Sequence, residues 1–525
     1  MKWILPLSAR TAETAEILGA KAHGLVVLHR LGLPVPPGFV VTTEACRAFL
    51  RDGRLPDGLD AELATAITGL EAATGRRLGG AQRPLTVSVR SGAGVSMPGM
   101  MNTILNLGLT AETTAALAAE TGDTQFASNS RLRFLTGFAS ALTGTDVDGP
   151  AAGDVEAVQQ LIRQRCGRPI PDDATRQLEM AVETVFSSWD TPRARTYREL
   201  HDIPHDLGTA AIVQTMVFGN RDDHSGTGVA FSRDPNTGEN IPYGEVLFGH
   251  QGEAVVSGRS LTRPLHELAD REPAVWAGLV DALSRVEEHY RDACYVEFTF
   301  QAGELWMLQV RSGRFVGAAA VRVATDLADE GVITRQEALV RVSPEHLRHV
   351  RTPRMAASAD VVARGVGACP GVAAGRVATT TDAAVRMSAD GPVILVRPET
   401  SPHDMRGLAA AAGIVTARGG PVSHAAVVAR AMGKPAVVGV TDLVVDVTSI
   451  RAGEHTIGEG TLVTIDGTSG EVALGSPPIT TNTADGPLRR LLEWADDVSG
   501  DRSGRDEVQR LTSAHTALGH DSRHR

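Results

Sequence analysis

The stretch Arg418-Gly-Gly-Pro-Val-Ser-His-Ala-Ala-Val-Val-Ala-Arg430 restricts its surroundings more than any other part of the chain. Two glycines and a proline interrupt regular structure, and the small apolar residues that follow run at helical density to a terminating Gly433. The run Gly413 to Ala417, like Val393 to Arg397 before it, has strand character. The segment therefore reads as a strand, a glycine turn and a helix over residues 425–432, with Ser423 placed to cap and His424 in the first turn. The N–H groups and dipole of such an N-terminus favour an anion. A neutral imidazole nitrogen there is a competent nucleophile toward phosphorus, so this is the setting of a histidine that carries a phosphoryl group. The plainer alternative is a solvent-facing cap histidine.

The rest of the chain decides between them. With 525 residues there is room for roughly two to four domains. The net charge of −11 argues against nucleic acid or an anionic membrane as a general partner. Cys46, Cys166, Cys294 and Cys369 are scattered with no C-x-x-C pair, so neither a disulfide framework nor a zinc site is expected. The short apolar start and the lack of a long apolar run read as a cytoplasmic protein.

Residues 1 to about 205 mix strand-like runs with alanine-rich helical stretches. From about Gly208 to Arg311 strands with Gly and Pro turns dominate, interrupted by a helix over Ala274 to Arg291. This is α/β and α+β multidomain composition. Residues 319–350 read as helical, and Thr352 to Ala363 as a connector poor in bulky apolar residues. The expected division is thus 1–350, a linker or hinge over 351–364, a second α/β domain over 365–475, and a polar, partly disordered tail over 476–525. Within that tail, Leu488 to Asp496 has a helical pattern.

Two features of the first part suit a nucleotide. Residues 85–109 form a strand and a loop rich in glycine and hydroxyl groups, with Arg90 at its base, where backbone amides can approach phosphates. Tyr295 to Arg311 reads as a β-hairpin around Gly303. A three-residue loop would set Glu297 opposite Gln309 with Arg311 on the same face, whereas a two-residue loop would put Glu297 and Gln309 on opposite faces. A carboxylate beside an amide oxygen can hold Mg²⁺, and an adjacent guanidinium can neutralise polyphosphate. A solvated polar sheet face is the competing reading. The strand Ala211 to Gly219 can supply backbone groups to an adenine.

Together these residues resemble the pyruvate, phosphate dikinase family of PEP-utilising enzymes, and more loosely the phosphoenolpyruvate synthases. The resemblance rests on Ser88-Val-Arg-Ser-Gly-Ala93 with Met97-Pro-Gly-Met-Met101, Phe186-Ser-Ser-Trp-Asp190, Val213-Gln-Thr-Met-Val-Phe-Gly-Asn220, Ser225-Gly-Thr-Gly-Val-Ala-Phe231 and Gly419 to Arg430. It implies an ATP-grasp nucleotide domain followed by a swivelling β/β/α phosphohistidine domain. It places catalytic roles on His424, Arg90, Arg311 and Lys21, and ATP contacts on Lys21, Arg90, Gln214, Met216, Val217, Glu297, Gln309 and Arg311. Glu297 and Gln309 become the Mg²⁺ ligands. The implied reaction takes ATP and phosphate to AMP, pyrophosphate and phosphohistidine, and a homodimer is compatible with it.

Three departures stand out. Tyr295 occupies a position where the family usually has an acidic residue, and Val422 occupies that of a phosphorylatable threonine. The family's pyruvate-binding barrel needs about 250 residues, which 476–525 cannot supply. The resemblance therefore leads to an ATP-dependent histidine phosphotransferase that passes its phosphoryl group to pyruvate on a separate barrel chain. Another small-molecule acceptor and a nucleotide-sensing pseudoenzyme are the alternatives.

Overall fold

The computed structural model describes residues 2–520 apart from 96, 98–99, 145–146, 148–154, 168, 253–261, 314, 349, 357–358, 422, 441 and 483–484. Val422, and Ser96, Pro98 and Gly99 of the glycine-rich loop, lie outside the described residues. Two compact units emerge, one of Met1–Ser225 with Thr299–Val310, the other of Gly226–Phe298 with Arg311–Arg525. The division differs from the one expected: the chain changes unit at Ser225, well before 350, and residues 226–298 group with the histidine-bearing segment.

The first unit is built on a five-stranded sheet of β1 (Ile4–Pro6), β2 (Gly38–Val41), β3 (Val87–Ala93), β4 (Thr103–Leu107) and β5 (Thr209–Thr215), in the order β1-β2-β5-β3-β4. Every residue of β3 is buried. A buried core including Phe39, Val87, Val89, Phe134, Phe138, Val185, Phe186 and Val213 covers the sheet with helices. Helix α1 (Ala20–Arg30) follows Gly19, whose φ of 78° and closeness to strand β3 only glycine permits: a Cβ there would fall 1.8 Å from the Gly92 carbonyl oxygen.

A further five-stranded sheet consists of β6 (Gly226–Phe231), β7 (Tyr243–Phe248), β8 (Arg263–Pro264), β9 (Cys294–Gln301) and β10 (Glu304–Ser312), in the order β8-β7-β6-β9-β10; of these strands, residues 299–301 and 304–310 are counted with the first unit and the rest with the second. Arg233, fully buried just past β6, pairs with Glu287 and Glu330, each at 2.6 Å. The residues expected to form a linker are instead paired strands. β11 (Thr352–Met355) runs antiparallel to β23 (Ile479–Asn482), Thr352 facing Asn482 and Met355 facing Ile479. β12 (Val361–Arg364) is an edge strand of an eight-stranded sheet. The Asp466 carboxylate accepts from the Met355 N–H at 2.9 Å, fastening the end of β11.

That sheet comprises β12, β13 (Val366–Cys369), β14 (Val372–Ala378), β15 (Val393–Arg397), β16 (Gly413–Thr416), β17 (Ala436–Val438), β21 (Leu462–Asp466) and β22 (Glu471–Leu474), ordered β12-β22-β21-β14-β15-β16-β17-β13. Its β14-β15-β16-β17 portion includes the parallel neighbours that the βα pattern around His424 requires. Helix α5 (His424–Met432) packs on one face, with Ala425, Ala426 and Ala429 against Ala368, Leu395, Ile414 and Val438. The small sheet β18 (Leu443–Val445), β19 (Ser449–Ala452) and β20 (His455–Gly458) adds Leu443, Ile450 and Ile457 to the core on Val377, Val415 and Ile465.

The tail expected to be partly disordered contains two helices, α6 (Asp485–Ser499) and α7 (Glu507–Ala517). They share a core with α2 (Gly317–Asp329), α3 (Arg335–Arg341) and α4 (Pro344–Arg348), into which Leu488, Leu491, Leu492, Trp494 and Leu511 are buried. Each such side chain contributes on the order of 1.5–3 kcal/mol. Arg490 pairs with Asp329, and Arg510 with Asp496 at 2.6 Å. Among the described residues no helix is long and apolar enough to cross a membrane.

Candidate functional site

In the first unit, the close approach licensed by Gly19 brings the start of α1 onto β3. The Lys21 Cβ lies 3.5 Å from the space beside Gly92. Two residues earlier on the same strand, Arg90 is 9 % exposed and its Nη1 donates to the Leu308 carbonyl at 2.8 Å. Gly24 of α1 packs against Val310. Helix, strand and the Leu308–Val310 segment thus meet, and Lys21, Arg90 and Gln309 belong to three elements in mutual contact. The guanidinium is anchored by a backbone acceptor, which helps to fix its position.

The strand expected to receive adenine lies inside the first unit's sheet. β5 is the central strand, and Gln214 stands in register with both Gly38 and Ser88, so its backbone belongs to the ladder. Its side-chain Nε2 donates to the Pro36 carbonyl at 3.0 Å. The Met216 N–H donates to the Thr86 carbonyl at 2.9 Å. Val217 follows where the ladder has ended.

The hairpin takes the two-residue alternative: β9 ends at Gln301, β10 begins at Glu304, and Ala302 and Gly303 both have positive φ. A regular ladder from that turn would place Arg311 on the face away from Tyr295. Instead the Arg311 Cζ sits 4.1 Å from the Tyr295 ring centroid, on the face that Tyr295 shares with Glu297. The alternation slips between Met307 and Val310, both buried, and the Met307 N–H bonds to the Pro34 carbonyl at 2.7 Å. Arg311 thus reaches the face that a three-residue turn would have given it. Among the described residues no three His, Cys, Asp or Glu side chains gather as a metal site. A carboxylate and an amide oxygen instead suit a Mg²⁺ that takes its remaining ligands from water and phosphates.

In the second unit, α5 begins at His424 with Ser423 at the cap position. The Ser423 hydroxyl does not cap; it is buried without a partner, so that side chain does not occupy the N–H groups of the first turn. The His424 Nδ1 lies 3.1 Å from the Thr400 hydroxyl, and Nε2 is buried with no hydrogen-bond partner. Burial pushes the His424 pKa down to about 4, with Asp404 acting the other way. The imidazole is therefore neutral near pH 7, as a nucleophile must be.

Sequence reasoning passed over Thr400 and Asp404. Asp404 accepts from the Ser401 N–H at 2.9 Å and from the Thr381 hydroxyl at 2.9 Å, and lies 3.2 Å from the Arg397 Nε. The available signal was the capping box that Ser401 and Asp404 form directly after a strand ending in arginine.

The turn before His424 is shaped by Glu245 of β7. A Cβ on Gly420 would fall 1.4 Å from the Glu245 Oε1, itself 2.5 Å from the Thr262 hydroxyl. Farther along α5, the buried Arg430 donates to the carbonyls of Ala368 at 2.8 Å and Pro421 at 2.5 Å, which ties the helix to the turn it follows.

Comparison with known proteins matches two domains. Residues 15–66 and 53–272 match the pyruvate phosphate dikinase AMP/ATP-binding domain, and residues 389–470 match the mobile domain of PEP-utilising enzymes. The chain is 40 % identical over 540 aligned positions to a pyruvate, phosphate dikinase of Rhizobium meliloti, covering 94 % of this chain and 60 % of that protein. Pyruvate, phosphate dikinase 2 of Zea mays is 42 % identical, with 92 % and 58 % covered, and the Clostridium symbiosum enzyme 39 %, with 94 % and 60 %. The chain thus spans about 60 % of the length of these relatives. It belongs to the pyruvate, phosphate dikinase family of PEP-utilising enzymes, and carries that family's nucleotide-binding and mobile phosphohistidine domains.

Proposed function

We propose that this chain catalyses the ATP-dependent half of a dikinase reaction. The His424 Nε2 attacks the β-phosphorus of ATP, the bond to the bridging α–β oxygen breaks, and AMP leaves with that electron pair. Inorganic phosphate takes the γ-phosphoryl group as pyrophosphate, and His424 keeps the β-phosphoryl group. Pyruvate, bound on a barrel outside residues 1–525, then accepts it.

The observation that carries this reading is the state of His424: desolvated, with Nδ1 engaged by Thr400 and Nε2 buried without a partner at a helix N-terminus. With its proton on Nδ1 and donated to the Thr400 hydroxyl, the ring presents the Nε2 lone pair. Lys21, Arg90 and Arg311 hold the polyphosphate, and the chain at Met216 and Val217 receives the adenine. Glu297 and Gln309 hold Mg²⁺, which when bound neutralises and orients the phosphates. Positioning and charge do most of the work in such a transfer.

The test is incubation with Mg²⁺ and ATP labelled separately at the β and γ positions, with and without phosphate. Acid-labile β label on the wild type, with AMP release, is expected; His424→Ala should lower it by at least about a thousandfold while ATP still binds. Label that survives in His424→Ala would assign the carrier elsewhere. A wild type that binds ATP but never takes label would favour a nucleotide sensor.

A further inference from the structure

Tyr295 stands at the centre of the second unit's aromatic cluster. It is 2 % exposed on β9, and its ring meets Phe231 of β6 edge-on, with centroids 5.0 Å apart and planes at 64°. Val229, Leu247 and Tyr243 complete the packing around it. Arg311 lies over the other part of this surface, stacked on the ring at 4.1 Å. Arg430 of the histidine helix lies 5.7 Å from the Phe231 centroid, close enough for its charge to act on Tyr295. Burial, and after it the neighbouring guanidinium of Arg311, push the Arg430 pKa down, opposed by Cys369, Tyr243 and Tyr295. Burial likewise pushes the Tyr295 hydroxyl up, so it stays protonated and neutral.

Two guanidiniums thus flank one aromatic surface. A carboxylate at position 295 would hold Arg311 by an ion pair and offset its charge. A ring holds it by stacking on the π face, which restrains the plane of the guanidinium and leaves the full positive charge for an anionic ligand.

We propose that Tyr295 is a positioning residue for the nucleotide phosphates: it acts through Arg311, which it holds in place by stacking without neutralising it. This rests on the reading of Arg311 as a polyphosphate ligand. It does not require transfer to His424, and it names the means by which this chain manages phosphate charge without an acidic residue at position 295.

The experiment is a double-mutant cycle on ATP affinity, measured with Mg²⁺ by equilibrium dialysis in wild type, Tyr295→Leu, Arg311→Met and the double variant, with Tyr295→Phe as the conservative control. Tyr295→Leu should weaken ATP by about 10- to 30-fold. Tyr295→Phe, which keeps the ring, should stay within about 3-fold of wild type. In the Arg311→Met background Tyr295→Leu should add less than about 2-fold, because its only route to the nucleotide has been removed. Independent effects that multiply, or wild-type affinity in Tyr295→Leu, would overturn the proposal. A purely architectural role would give multiplying losses, with Tyr295→Phe near wild type in both backgrounds. Coupling without any label on His424 would sink the transfer reading alone, label without coupling would sink this proposal alone, and a wild type that binds no ATP would sink both.

Discussion

Helices α1 and α5 begin in the same way and serve opposite ends. Each follows a glycine crowded by a neighbouring oxygen: Gly19 by the Gly92 carbonyl, Gly420 by the Glu245 carboxylate. Each then offers a nitrogen-bearing side chain in its first turn, Lys21 or His424. The crowding atom of α1 is backbone within a buried strand, so that helix has one seat, and Lys21 is set beside the strand that carries Arg90. The crowding atom of α5 is the end of a side chain, and the histidine is desolvated instead of being presented as a cation. Under the proposed function, the charge of Lys21 is built on an immovable contact, whereas His424 follows a contact that a rotamer change can release.

The comparison breaks most visibly at the glycines themselves. Gly19→Ala adds a Cβ that would sit 1.8 Å from the Gly92 carbonyl oxygen, at a φ of 78° that disfavours any side chain. Strain and overlap together should cost upwards of about 3 kcal/mol and lower the melting temperature, with no single side-chain deletion able to restore it. Gly420→Ala places its Cβ 1.4 Å from the Glu245 Oε1 but at an ordinary φ. It should slow β-label uptake by about 10- to 100-fold at modest cost in stability, and Glu245→Ala should restore most of the loss. Equal melting shifts in the two alanine variants, or no rescue by Glu245→Ala, would show that the two seats are of one kind.

A second, smaller effect separates the two side chains by pH. His424 has its folded pKa depressed to about 4 against 6.5 for an unperturbed histidine. The unfolded chain therefore binds the proton more readily. The stability that the neutral ring confers is fully present above pH 6.5 and is lost as pH falls through about 4, a span worth up to about 3 kcal/mol. A His424→Gln variant should lose less stability than wild type between pH 6.5 and 4, as followed by urea midpoints at successive pH values. Parallel losses would mean that His424 is solvated and titrates normally.

How far the sequence could carry this depends on the distance between interacting residues. The strand, turn and helix around His424 were legible because every determinant lies within a few residues. So were the strands Cys294–Phe300 and Leu305–Arg311, although the slip of burial between Met307 and Val310 was not, since it follows from contacts with other elements such as Pro34 and Tyr295. The helices of 485–517 were under-read because the partners of Leu491, Leu492 and Trp494 lie more than 140 residues earlier, and the charged faces between them resemble a solvated tail. The 351–364 segment has too few apolar residues to announce strands. β11 gains its structure from pairing with β23 across the entire inserted domain, and from Asp466. That the strand of Gln214 is central was not legible, because nothing local tells a central strand from an edge.

The smallest expected effect is the sharpest test of how the carrier is prepared. Thr400 reaches His424 from the loop after β15, and its hydroxyl lies 3.1 Å from Nδ1. Thr400→Val keeps the shape and removes the acceptor, so the ring loses its preference for the tautomer with the proton on Nδ1. A neutral hydrogen bond is worth about 1 kcal/mol, which corresponds to roughly a 5-fold slower β-label uptake, with Thr400→Ser near wild type. Lys21 and Arg90 are unaffected by that substitution, so ATP affinity should not change. A loss confined to the rate would place Thr400 among the groups that prepare the nucleophile, whereas an equal loss in ATP affinity would mean that the histidine loop also shapes nucleotide binding, and the contrast between a fixed ligand seat and a releasable carrier seat would have to be abandoned.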